Sequence, residues 1–203
     1  MPDVYATARG RALARLASPV AARARARRHE RFFSLTGLQP GMRVVDVGCG
    51  ALGLRGLEPG LDITGVDLVA RPEYEGPFVQ ADAAQWLPFD DAAFDLAYSS
   101  SVVEHVEPER RAAFAAEVKR VARGWFVQTP AWSFPIEPHA LLPFAHWLAP
   151  TLRRPYWRLG AAGSWEDIHL LRRAELAALF GEPILAERFG GLVKSWIALR
   201  PVG

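Results

Sequence analysis

The sequence predicts an α/β fold: a Rossmann-like, doubly wound, mostly parallel sheet that ends in an antiparallel hairpin. Three observations predict it. From Met42 onwards, short β-branched runs alternate with helical patterns. The first run leads into a glycine-rich turn, Gly48–Gly53. The last two runs, Ile184–Phe189 and Leu192–Leu199, are separated only by Gly190 and Gly191. Strand–helix alternation implies parallel strands joined by crossovers, with helices on both faces. A Gly-Gly pair between two strand-like runs signals a hairpin.

Each element has its own reason. Met42–Val47 is β-branched and ends at Gly48, which reads as a buried strand. Leu61–Asp67, Phe78–Gln80 and Phe94–Ser99 read as the second, third and fourth strands. Pro108–Ala122 reads as a helix, with Pro108 in the first turn, Glu109 favouring the dipole, and Phe114, Val118 and Val121 at helical spacing. Gly124 is expected to stop that helix and open a fifth strand, Gly124–Thr129. Arg172–Phe180 is an amphipathic helix before the hairpin.

The chain has 203 residues, half of them hydrophobic and 23% charged, which predicts one domain over residues 1–203 with a real core. A net charge of +2 is too small for a dedicated nucleic-acid binder. The excess is local: Arg9–Arg31 holds eight arginines and one acid, Glu30. Residues 1–40 are therefore read as a basic helical N-terminal segment, with a helix from about Pro19 to Ser34. A solvated helix face is preferred over a basic arm for phosphates or a membrane surface, and over a transit peptide. Cys49 is the sole cysteine, so no internal disulfide forms. No apolar run reaches the roughly 18 residues needed to cross a bilayer, and no signal-peptide pattern is present. The protein is read as cytoplasmic, without a membrane role.

Residues 130–171 form a long connection rich in Trp, Tyr, Phe and Pro. Connections of that length are usually functional, so this one is read as a lid or acceptor-binding insertion.

The stretch VVDVGCGALG, Val44–Gly53, carries the first chemical signal. A buried strand runs through glycines into an expected helix start. Gly48 and Gly50 let a ligand approach the backbone, and N–H groups at a helix start can bind it. Gly48, Gly50 and Gly53 also satisfy GxGxxG, so a dinucleotide reductase competes. Three acids argue for a different ligand. Asp46, just before the glycines, suits a cationic amino acid moiety rather than a pyrophosphate. Asp67, closing the second strand, can take both hydroxyls of a ribose. Asp82, between Ala81 and Ala83, can accept from an adenine amino group.

Taken together, VVDVGCG, TGVDL, QADAAQWLPFDDAAFDLAYSS and VVEHV, in that order, resemble the class I S-adenosylmethionine-dependent methyltransferases, particularly the methyltransferase type 11 branch. The resemblance spans about Gly41–Thr129 and implies S-adenosyl-L-methionine as the cofactor. It implies that Asp46 and the Gly48, Cys49 and Gly50 backbone hold the methionine part. Asp67 holds the ribose with Leu68 against the adenine, Asp82 and Ala83 reach the adenine edge, and Ser99 lies near the sulfonium. The chain departs from the pattern where Leu52 stands in place of a glycine, with Gly53 following, and where Gly56, Pro59 and Gly60 leave the first helix barely two turns.

The cofactor carries an activated methyl group, and the protein supplies orientation. A base is needed only when the acceptor loses a proton. Candidates are His105, in SSSVVEHVEP, and the pair Glu137 and His139, in FPIEPH. Pro135 and Pro138 hold that last segment extended, so Glu137 and His139 face the same side and the carboxylate raises the imidazole's basicity. Each has a plainer alternative: local packing for His105, and a loop-anchoring ion pair or a cap on a helix over Ala140–Leu148 for Glu137. Glu104 and His169 are weaker candidates; His146 and His29 are read as solvent-facing or structural. No CxxC or HxxxH spacing is present, so no metal is expected. Tyr98-Ser99-Ser100-Ser101 stands where nucleic-acid and protein nitrogen methyltransferases often carry Asn-Pro-Pro-Tyr, which favours a small-molecule acceptor. The alternatives are an RNA-directed methyltransferase using the arginine segment and a non-catalytic S-adenosylmethionine-binding protein.

Overall fold

The computed structural model describes residues 27, 30–58, 60–161 and 168–202. Most of the arginine-rich segment, together with His29, lies outside the described residues; a helical stretch over residues 30–36 is the part of that expectation they include.

Nine strands form. Five run in order through the first part of the domain: β1 (Arg43–Val47), β2 (Asp62–Asp67), β3 (Phe78–Gln80), β4 (Phe94–Ser100) and β5 (Ala122–Pro130). The short pair β6 (Ile136–Glu137) and β7 (Leu142–Pro143) lies in the insertion. The chain closes with β8 (Ile184–Phe189) and β9 (Leu192–Arg200). The helices are α1 (Arg111–Val121), α2 (Pro150–Trp157) and α3 (Arg173–Phe180). The main sheet has seven strands in the order β3-β2-β1-β4-β5-β9-β8. Strands β1 to β5 are mutually parallel, while β9 runs antiparallel to both β5 and β8. This is the expected mostly parallel sheet with its closing hairpin. Gly190 and Gly191 both take positive φ, at 56° and 83°, as a two-residue turn of this hand requires.

Period-two alternation builds two cores. Val45, Val47, Ala97 and Val127 face Phe114, Val118 and Val121 of α1 and Leu176 and Phe180 of α3. Their neighbours Val44, Leu96, Tyr98 and Phe126 face the other way, against Phe32 of the 30–36 stretch. The Phe32 ring meets Tyr98 and Phe126 edge-on, with centroids at 5.2 and 5.5 Å. One residue of register slip would exchange the two faces, so the alternation fixes the register.

Two expectations about helices fail. After the glycines, residues 51–57 make turns rather than a regular helix. Only a few helix-like bonds form, such as Gly56 N–H to Leu52 O at 2.8 Å. Gly50 and Gly53 sit at positive φ, and Gly56, Pro59 and Gly60 give the stretch no means to propagate. Ala140–Leu148 is not a helix either: Leu141 and Phe144 have positive φ, β7 takes Leu142–Pro143, and only a short 3-10 turn follows at Ala145–Trp147.

Gly124 has a role other than the expected one. The helix ends at Val121 and the strand begins at once with Ala122, so Gly124 lies inside β5. A Cβ there would stand 2.6 Å from the carbonyl oxygen of Arg200 on β9. Backbone cannot give way as a flexible side chain would. Gly124→Ala is expected to destabilise the domain by about 1–3 kcal/mol, measured by urea unfolding.

The parallel strands end together, and the order reverses between β1 and β4. In sheets of this kind ligands bind outside the carboxyl ends at such a switch point. Asp46, Asp67 and Ser99 all lie at those ends.

Candidate active site

The glycine turn is held by the sheet and by Asp46. The N–H groups of Gly48 and Cys49 both donate to Val66 O, at 2.8 and 3.1 Å. Gly50 N–H donates to Asp67 Oδ2 at 2.9 Å. These three donors are therefore engaged, contrary to the expectation of free N–H groups. Asp46 is 2% exposed, and its Oδ2 accepts Leu54 N–H at 2.6 Å. Gly53 is a necessity of this packing, since a Cβ on it would overlap Asp46 Oδ2. That explains why a glycine stands one position later than the family pattern. Burial pushes the Asp46 carboxyl up to about 7; the Leu54 N–H opposes this and nearby Asp67 adds to it. Burial, with Asp46 and Asp67 adding, pushes the Cys49 thiol up to about 12, so it stays a thiol and serves packing.

Asp67 uses both oxygens twice. Oδ2 accepts from Gly50 N–H and from Arg71 Nε at 3.2 Å. Oδ1 accepts from Val69 N–H at 3.0 Å and Arg71 Nη2 at 3.4 Å. Sequence reasoning missed Arg71, although its spacing of four from Asp67 was available as a signal. Leu68, beside Asp67, is 62% exposed and offers an open apolar surface. Asp82 accepts from Ala84 N–H at 2.9 Å and from Arg110 Nη2 at 2.6 Å. Partial burial raises this carboxyl, but the Arg110 guanidinium and the Ala84 N–H outweigh it and hold it below the usual range. Ala83, half-buried, packs with Ala84 against the core. Ser99 is 1% exposed, and its Oγ has no hydrogen-bond partner among the described residues.

The histidines converge after β4. Val103–His105 forms a single 3-10 turn. Gly48 packs so closely on Val102 that a Cβ on it would overlap the valine side chain, which sets the turn against the glycine loop. Glu104 is fully buried: Oε2 accepts Thr129 Oγ1 at 2.9 Å and its backbone carbonyl accepts His169 N–H at 3.0 Å. Burial pushes this carboxyl up to about 7, with His139 opposing. The rings of His105 and His139 meet edge-on, with centroids 4.8 Å apart. Burial, then His139, push the His105 imidazole down to about 4, so it is neutral at pH 7.

Glu137 and His139 do meet, but through a turn rather than an extended segment. The Glu137 carboxylate folds back, with Oε1 accepting from His139 Nδ1 at 2.8 Å. Its Oε2 accepts the N–H groups of His139 at 2.9 Å and Ala140 at 2.5 Å. Glu137 is 1% exposed. His146 is buried, the structural of its two expected places, and its Nε2 lies 2.9 Å from Trp132 O. The ends of the insertion are pinned side by side, where Ala131 bridges Leu171 and Trp132 N–H donates to Leu171 O at 3.0 Å. The Arg172 guanidinium stacks 3.6 Å from the Trp132 ring.

Residues 45–126 match a family of proteins described as "Methyltransferase domain". The match covers under half of the chain, from β1 into β5, and takes in the glycine turn. In fold, the chain is similar to an S-adenosylmethionine-dependent methyltransferase from Methanosarcina mazei, with 17% identity, a TM-score of 0.55, and 80% of this chain and 92% of that one covered. It is similar to geranyl diphosphate C-methyltransferase from Streptomyces coelicolor at 15% identity and a TM-score of 0.56, covering 81% and 65%. A third similar structure is the 1,6-didemethyltoxoflavin-N1-methyltransferase of Burkholderia thailandensis, at 17% identity and a TM-score of 0.51, covering 78% and 69%. No curated protein matches the sequence. Among the described residues no helix is long and apolar enough to cross a membrane.

Proposed function

We propose that the chain is a methyltransferase that binds S-adenosylmethionine across the ends of β1, β2, β3 and β4 and methylates a small molecule held beneath the 130–171 insertion. The observation that carries the reading is the packing of Gly48 on Val102, which seats the Glu104–His105 turn against the glycine loop. Cofactor residues and acceptor residues then share one boundary. The site also fits the cofactor in its details: Gly50 faces open space, Leu68 is exposed beside Asp67, and the Ser99 hydroxyl is buried without a partner among the described residues. When bound, the cofactor supplies a methyl group already activated by its sulfonium.

In this reading Asp67 holds the ribose hydroxyls and Asp82 and Ala83 the adenine edge, with Leu68 against the ring. Asp46 fixes the turn, and Gly48, Cys49 and Gly50, whose N–H groups are engaged within the protein, border the methionine part by shape. Ser99 lies near the sulfonium. His105 and His139, the latter steadied by Glu137, bound the acceptor and hold its nucleophilic atom in line. The small-molecule class is supported by two relatives in fold, whose names give 1,6-didemethyltoxoflavin and geranyl diphosphate as their acceptors.

Ribose binding must displace Arg71, because both Asp67 oxygens are already fully engaged. A partly exposed ion pair of this kind is worth about 1 kcal/mol. Arg71→Ala is therefore expected to bind S-adenosylhomocysteine about fivefold more tightly; unchanged or weaker binding would assign Arg71 to holding Asp67 in place.

The function is tested by incubating the protein with methyl-labelled S-adenosylmethionine and a small-metabolite extract. Label is expected in a small molecule. His139→Ala and Glu137→Gln are expected to lose transfer while keeping cofactor affinity. Full transfer by both variants would remove these residues from the reaction.

A further inference from the structure

We infer that Glu104, His105 and His139 form a binding site for a divalent transition-metal ion. One ligand atom from each of the three lies within 4.8 Å of the others. Glu104 carries the argument. Its side chain is wholly buried, Oε2 is satisfied by Thr129, and Oε1 has no hydrogen-bond partner among the described residues. That oxygen points into the cluster, 4.0 Å from His139 Nε2. This is too long for a hydrogen bond. A buried carboxylate oxygen left unmet is costly, and a cation between it and the imidazole removes the cost.

The surroundings match a metal site. His139 Nδ1 faces a carboxylate, so it carries the proton and donates to Glu137. Nε2 is then the nitrogen with the lone pair, and it is the one turned towards Glu104. A carboxylate behind a histidine in this way orients metal-ligating imidazoles and raises their basicity. Glu137 is itself fixed by two backbone N–H groups, and the Glu104 turn by the His169 N–H. Tetrahedral ligation at about 2.0–2.2 Å puts ligand atoms about 3.4 Å apart, so the widest pair must close by up to about 1.4 Å as the metal binds. Two imidazoles and one carboxylate suit zinc, cobalt, nickel or manganese better than magnesium or calcium. Three protein ligands leave an open position. On the methyl-transfer reading above, which this part rests on, that position takes an oxygen or nitrogen lone pair of the acceptor.

The test uses the full chain, stripped with a chelator and titrated with Co²⁺ alone, then with Zn²⁺ as competitor. One equivalent of Co²⁺ is expected, with visible d–d absorption that Zn²⁺ abolishes. Glu104→Gln and His139→Ala are expected to lose the spectrum, and Glu137→Gln to weaken binding about 10–100-fold. His146→Gln, outside the cluster, is expected to change nothing. Circular dichroism melts establish that each variant is folded. Absence of stoichiometric Co²⁺ uptake by the parent, or uptake undiminished in a folded Glu104→Gln, overturns the site. Because the metal alone is the probe, failure of the cofactor reading would appear separately, as lost S-adenosylhomocysteine binding with Co²⁺ uptake intact.

Discussion

Asp67→Ala is expected to lose the thermal stabilisation that S-adenosylhomocysteine gives the parent. The carboxylate stands at the end of β2 and is 9% exposed, where a ribose can be gripped by a fixed and nearly dry acceptor. Two hydrogen bonds to a charged group together contribute about 3 kcal/mol net, or about a hundredfold in affinity. The parent protein should therefore melt higher as ligand is added, and the variant should show no shift at the same concentrations. The substitution also removes the tether on Gly50 N–H and leaves Arg71 without its ion pair, so the unliganded variant should melt lower than the parent. A full ligand-induced shift in Asp67→Ala would mean that the ribose sits elsewhere.

Asp46 should contribute a loss of stability as pH rises from about 4 to about 7, separable by substitution from the opposite contribution of the buried His105 imidazole. The folded pKa of Asp46 is raised from 3.8 to about 7, chiefly by burial. Below the unfolded value the carboxyl is protonated in both states, and the folded state bears no penalty. Between the two values the unfolded chain ionises while the folded chain keeps its proton, so each step up in pH favours unfolding. Above the folded value the loss is complete, on the order of 4 kcal/mol. Asp46→Asn retains an oxygen for Leu54 N–H but cannot ionise. Urea unfolding of both proteins across this window should show the variant gaining on the parent as pH rises. Parallel curves would mean that the Asp46 carboxylate is solvated as readily folded as unfolded.

The strands were legible because each is a β-branched or aromatic run with clear ends, and the alternation of Val44 with Val45, or Leu96 with Ala97, states two faces directly. The site was legible where it follows the chain: Asp46, Gly48, Gly50 and Asp67 fall at strand ends by local pattern alone. Contacts between distant segments were not. Arg110 reaches Asp82 across 28 residues and Thr129 reaches Glu104 across 25, and nothing local in either segment marks the partner. Glu137 shows a middle case. The sequence paired it with His139, but extended geometry was the wrong route, because the carboxylate reached the N–H groups of a turn. The Ala140–Leu148 helix failed for a related reason: apolar spacing there resembles a helix, yet Leu141 and Phe144 take left-handed φ around Pro143. The histidine cluster was hidden from any spacing rule, since Glu104 and His105 are adjacent and His139 comes from the insertion.

S-adenosylhomocysteine is expected to bind once per chain, at the ends of β1, β2, β3 and β4. Calorimetric titration of the parent chain with S-adenosylhomocysteine tests it most directly. One site per chain in the micromolar range is predicted. No heat and no binding at millimolar ligand would contradict cofactor binding here, and would mean that the turn held by Asp46 and the Arg71 ion pair on Asp67 close the site rather than build it.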